Sequence, residues 1–179
     1  NREIRRRGVI ISATAKEDIL MISIAGAAAS TAAVSGVINT LLARNIVRAK
    51  VDGATVNASG SMVSFGATED GAPVTVYSSS DVVVEADDDT FILMLAGALS
   101  AASTAGVGAT VVVLVFSKTV EAILTGTTAA DGDVIVSANT VDDLVLLALA
   151  FGAAGTAGVA GGANALVFQN YVTAALGGT

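Results

Sequence analysis

The sequence predicts a mainly-β protein, a parallel β-solenoid with long repeats, each with room for one short buried apolar helix. Three observations predict it. The chain aligns with itself at two offsets without a gap, each copy opens on alternating β-branched residues, and the long uncharged runs are divided by one recurring small-residue element. Repeats at a fixed spacing mark stacked architectures, in which each unit buries its apolar face against its neighbours.

The repeat is read directly from the letters. An offset of 52 lays the stretch from Asp81 on the stretch from Asp133. Val82, Val84 and Ala86 then meet Val134, Val136 and Ala138, Thr104-Ala105-Gly106-Val107 meets Thr156-Ala157-Gly158-Val159, and Val115-Phe116 meets Val167-Phe168. An offset of 73 lays Gly8 on Asp81, Met21 on Met94, Thr31 on Thr104 and Gly53 on Gly126. The offsets differ by 21, and the extra residues sit near SMVSFGATEDGAPVTVYSSS, Ser61 to Ser80, where two strand-like pieces flank the turn cluster EDGAP. About 20 residues is one solenoid coil, and a solenoid accepts a whole coil because each coil touches only its neighbours. The expected organisation is one domain over 1–179 with three repeats, 8–60, 81–132 and 133–179, and an extra coil at 61–80.

Each repeat begins with a strand pattern, VIISATA, VVVEADD or VIVSANT. Acidic or polar residues follow, and then an apolar small-residue stretch: ILMISIAGAAAS, FILMLAGALSAAS, LVLLALAFGAAG. Ala, Leu and Met favour helix, and an Asp just before them suits a helix start, so a short buried helix is expected. A strand buried on both faces is the rival, because periodicity does not separate the two in a continuous apolar run. TAGVGATVVVLVF then reads as a strand whose Gly106 and Gly108 signal a close backbone approach. TVEAILTGT alternates Val120, Ala122 and Leu124 with Thr119, Glu121 and Ile123, as a half-exposed strand does.

Composition narrows the chemistry. The 179 residues are 53% hydrophobic but only 4% aromatic, with no Cys, His or Trp. Disulfides, thiolate sites and cysteine nucleophiles are excluded, and the commonest general base and metal ligand is missing. Residues 1–50 hold eight basic and three acidic residues, a net of +5; the remainder holds one basic and thirteen acidic, a net of −12. The basic run REIRRR has no aromatic company and the acidic body repels phosphate, so nucleic acid is not expected as a partner. The opening NREIRRRGVI has neither an initiator Met nor a signal-peptide pattern, as in a mature product or an excised piece.

Candidate sites are few. Asp131 and Asp133 in ADGD offer oxygens to Ca²⁺, but a plain turn accounts for them. Asp87 to Asp89 crowd like charge, and the expected explanation is a helix start with a solvated face. NAS at Asn57 to Ser59 fits a glycosylation sequon. GTAGVAGG, Gly155 to Gly162, repeats the element at Thr104–Gly108 and is not expected to cradle phosphate. Accordingly, no catalytic, cofactor-binding or metal-binding residue is assigned, no cofactor is expected, and the chain is not expected to be an enzyme.

The phrase AGALSAASTAGVGATVVV, followed by TVEAILTGTTAADGDVIVSA, resembles the tandem repeats of very large bacterial filamentous adhesins, including the leukotoxin-like surface proteins of Gram-negative anaerobes. The likeness covers most of 8–179; the first copy departs from it, with TAAVSG in place of TAGVGA. It implies a secreted or surface-displayed β-solenoid stalk, extracellular or at the cell surface, with no particular receptor. The expected function is therefore a structural repeat unit of a fibre or adhesin. Its partner is expected to be itself, head to tail, or the continuation of a longer solenoid, with the basic head meeting an acidic neighbour. YVTAALGGT offers no polar cap. The alternative is an integral membrane protein with apolar spans at 19–43, 91–117 and 144–179, each long enough to cross a bilayer.

Overall fold

The computed structural model describes residues 3–6, 8–58, 67–69, 72–78 and 81–178. They form nine strands: β1 Glu3–Arg6, β2 Val9–Ala29, β3 Ala32–Ala58, β4 Ala67–Glu69, β5 Ala72–Ser78, β6 Val82–Ala102, β7 Ala105–Ala130, β8 Val134–Ala154 and β9 Ala157–Gly178. Among the described residues there is no helix. The fold is mainly β and parallel, a solenoid-like stack.

Each repeat is one arch. A long strand runs up, turns through two residues (Ser30-Thr31, Ser103-Thr104, Gly155-Thr156), and a second long strand runs back in a different sheet. The first strands make the parallel sheet β2-β6-β8 and the returning strands make β3-β7-β9. The ladders join Val9 to Val82 to Val134 and Ala32 to Ala105 to Ala157, which are steps of 73 and 52. Stacking in this register satisfies the backbone of one arch with that of the next. The turns join in: Thr31 O accepts from the N–H groups of Thr104 (3.2 Å) and Ala105 (3.0 Å), and Thr104 O accepts from Ala157 N–H (3.0 Å).

The expected helices do not form. Ile19–Ser30, Phe91–Ser103 and Leu144–Gly155 continue the strands that precede them up to the turns. The pleat persists through them: Ile92, Met94 and Ala96 are fully buried, whereas Phe91 is exposed and Leu93 and Leu95 are half-buried. A helix here would strip the neighbouring strands of their ladder partners, one for β2 or β8 and two for β6, a cost that Ala and Leu propensities do not offset.

Two apolar clusters fill the space between the sheets. One, toward the open end, is built from Val82, Val84, Ala86, Val120, Ala122 and Leu124, with Val47 and Ala49. The other, toward the turns, holds Ile92, Met94, Val112, Leu114 and Phe116, and Phe116 stacks on Phe168 with ring centroids 5.7 Å apart. Past these the wedge narrows. A Cβ on Gly106 would lie 2.6 Å from Ala153 O, and one on Gly108 2.7 Å from Phe151 O, so the close approach expected at these glycines is present between the two sheets. At the other end, Gly126 and Gly178 share a ladder position and take φ of +120° and +114°, a conformation side chains rarely adopt.

The two sheets are staggered. β3 packs against both β2 and β6, and β7 against both β6 and β8, while β2 faces only β3 and β9 faces only β8. One end of the stack therefore presents an overhanging β2 and the other an overhanging β9. Half of the extra coil expected at 61–80 lies outside the described residues; in the other half β4 pairs antiparallel with β5, and β5 pairs in parallel with β1.

Candidate functional site

The interior is not uniformly apolar. Between the two clusters runs a layer of polar side chains at one height of the arch: Glu17 on β2, Asn45 on β3, Asp88 and Thr90 on β6, Lys118 on β7, Thr140 and Asp142 on β8, and Asn170 on β9. The Lys118 side chain is fully buried. Its Nζ forms ion pairs with Asp88 and Asp142 and donates to Thr90 Oγ1 (2.8 Å) and Thr140 Oγ1 (3.1 Å). It also lies 5.6 Å from the centre of the Phe116 ring.

The carboxylates are saturated in turn. Asn45 Nδ2 donates to Asp88 Oδ1 at 2.6 Å, Thr90 Oγ1 is 3.0 Å from Glu17 Oε2, and Asn170 Nδ2 donates to Asp142 Oδ2 at 3.1 Å. A charge this deep is tolerated only with opposite charge and hydrogen bonds around it. In this register the Lys118 Nζ meets two carboxylates and two hydroxyls, and a shift of the sheets by one residue would turn these groups to the other face.

The outer faces divide at the same height. Below the layer they are mixed and charged: Lys16 Nζ pairs with Asp89 (3.0 Å) and Arg48 Nε with Glu121 (2.6 Å), each across one ladder step. The basic residues Lys16 and Arg48 thus meet acidic partners within the chain. Above the layer, toward the turns, no charged residue occurs in 19–43, 91–117 or 144–169. There the outward rows expose Leu20, Ile22 and Ile24 on one sheet and Val34, Ile38 and Leu42 on the other, the last three more than 70% accessible. Apolar faces of this extent mark contact surfaces.

Asp52 supplies a pH handle near the open end. Its carboxylate is held below the ordinary range first by a hydrogen bond from Lys50, then by one from Thr125 and by the Lys50 charge. The Lys50 ion pair is 2.7 Å and the Thr125 hydroxyl contact 3.0 Å. A lowered carboxylate value stabilises the fold above the ordinary carboxylate range and loses that contribution as pH falls through the lowered value. The Asp52→Asn variant is expected to lose a small part of the fall in urea midpoint seen between pH 5 and pH 2, and to match wild type at pH 2.

No family model, curated protein or solved structure matches the chain.

The residues singled out in the sequence scatter. Asp87, Asp88 and Asp89 do not begin a helix; the strand pleat separates them. Asp88 turns inward to Lys118, Asp87 accepts from Asn139 Nδ2 (2.9 Å), and Asp89 pairs with Lys16. Asp131 and Asp133 sit at the exposed turn between β7 and β8, where the Asp133 N–H donates to Asp81 Oδ1 at 2.9 Å. Asn57 belongs to β3, while Ser59 lies outside the described residues. Gly158 and Gly162 pack against backbone as Gly106 does, and none of them lines an open loop. Among the described residues no three carboxylates converge on a metal position.

Lys118 is the residue that the sequence reading left unassigned. The signal was present: carrying the alternation of Val120, Ala122 and Leu124 back one step places Lys118 on the inward row.

Proposed function

We propose that this chain is a structural repeat unit of a secreted or surface-displayed fibre, extracellular or at the cell surface, and not an enzyme. The observation that carries the reading is the state of the stack's ends. The inward row of β9 leaves Leu166 and Leu176 50% and 64% exposed, whereas their ladder partners Leu114 and Leu124 on β7 are fully buried. An open parallel edge with an uncovered core row is a template for another strand, and repeat stacks bury such rows by adding like units. The resemblance to filamentous adhesin repeats points the same way. The test is direct. Concentrated protein is expected to form filaments by negative-stain electron microscopy, with a meridional fibre-diffraction spacing near 4.8 Å. Material that stays monodisperse at high concentration rejects the reading.

The apolar outer faces favour a second reading, contact with a membrane. Among the described residues no helix is long and apolar enough to cross one, which leaves crossing by strands untouched. Flotation with phosphatidylcholine vesicles distinguishes the two readings, since a fibre that avoids lipid stays at the bottom of the gradient.

A further inference from the structure

We propose that β8 and β9 of one copy continue, in ladder register, into β2 and β3 of a second copy, and that this junction extends the polar layer from one copy into the next. The inference rests on the fibre reading and adds the partner surface and its alignment.

The argument is a row-by-row match. Setting Val134 beside Val9 and Ala157 beside Ala32 of the next copy extends the ladders that already join Val82 to Val134 and Ala105 to Ala157. Leu144 and Leu146 then meet Ile19 and Met21, while Leu166 and Val172 meet Leu41 and Val47. Gly178 meets Gly53, and both have positive φ, +114° and +63°. The staggered ends fit, because the overhanging β9 would gain β2 of the next copy as its second facing strand, as β7 has both β6 and β8.

The polar rows are more telling. Asn170 falls beside Asn45 and Asn164 beside Asn39, where the central copy has Lys118 and Val112. Asn39 and Asn164 play one role at the two ends: each donates at 3.1 Å to a backbone carbonyl of the opposite sheet, Leu95 O or Leu146 O. Stacked Asn side chains form hydrogen-bonded ladders between in-register strands.

Two rows match badly. Asp142 falls beside Glu17 and Asp143 beside Asp18, where the central copy has Thr90 and Phe91. Lys118 touches Asp142 from within its own chain, but β9 carries no cation to answer Glu17. Inward charge is a device that restrains edge-to-edge pairing, so Glu17 and Asp142 act as a brake on the junction, and the outward Asp18 and Asp143 add like-charge repulsion across it.

Engineered cysteines test the register, since the chain has none of its own. Ile46 and Tyr171 point outward, are 43% and 60% exposed, and become neighbours only across the proposed junction. Within one chain they lie two ladder steps apart, through Thr119, about 9.6 Å, beyond disulfide reach. The double variant Ile46→Cys/Tyr171→Cys is expected to oxidise into a ladder of covalent oligomers, and Ile46→Cys/Thr173→Cys is not. In the cysteine-free background, Glu17→Gln, whose carbonyl still accepts from Thr90, is expected to lower the concentration for half-assembly about fivefold. Sedimentable assemblies whose in-register pair cross-links no better than the shifted pair overturn this junction and leave the fibre reading standing. Absence of assembly in both wild type and Glu17→Gln overturns the two together.

Discussion

Lys118→Met is expected to lower the free energy of unfolding by about 3–5 kcal/mol, the usual cost of leaving buried charge without its partner. The loss does not come from packing, because Met matches the Lys stem in length and sits as well beside Phe116. It comes from Asp88 and Asp142, whose carboxylates keep their Asn45 and Asn170 donors but lose the cation they share. The triple variant Lys118→Met/Asp88→Asn/Asp142→Asn removes all three charges and keeps acceptors for those donors. It is expected to recover most of the loss, since apolar or neutral replacement of a whole buried ion cluster is often neutral. Urea denaturation of the three proteins decides the matter. Equal destabilisation of the single and triple variants would show that the layer acts through shape and not charge.

Gly108→Val is expected to cost about 3 kcal/mol or more and to disrupt the turn end of the arch. The Cβ alone would lie 2.7 Å from Phe151 O and 3.2 Å from its carbonyl carbon. Those atoms are held by the β6–β8 ladder, in which Phe151 pairs with Leu99, so they cannot swing aside as a flexible side chain can. Gly36→Ala is the control. It lies on the neighbouring strand β3 and faces outward, and its Cβ would meet only Ala109 O at an ordinary 3.6 Å. That change is expected to stabilise by about 0.5–1 kcal/mol, the strand penalty of a glycine relieved. Thermal melts separate the two directions without ambiguity.

These contrasts also show what the sequence could reveal. Alternation made the open halves of the arches legible: Val84 and Ala86 are set off by Glu85 and Asp87, and Val120 and Ala122 by Thr119 and Glu121, although Val83 and Ile123 interrupt the polar row. The self-alignment made the ladder legible, because parallel in-register strands place homologous letters side by side. The turn halves hid their period. Leu20, Ile22 and Ile24 face out while Ile19, Met21 and Ala25 face in, so both rows are apolar and the pattern reads as a continuous run. Local propensity then spoke for helix, and the ladder overruled it. The buried layer was hidden for another reason. Lys118, Asp88 and Asp142 are far apart in the chain, and only the sheet-to-sheet pairing brings them together.

The border at the polar layer has a consequence for whatever is built from these arches. It cuts across the strands, so it runs parallel to the stacking direction and repeats with every copy. A stack extended by the proposed junction would have one long side that wets, carrying Lys16, Asp89, Arg48 and Glu121, and an opposite long side that does not. Such a body would be a surfactant about its own long axis. At a boundary between water and a less polar phase it would lie flat along the boundary, turns leading, and its hold on that boundary would grow in proportion to its length.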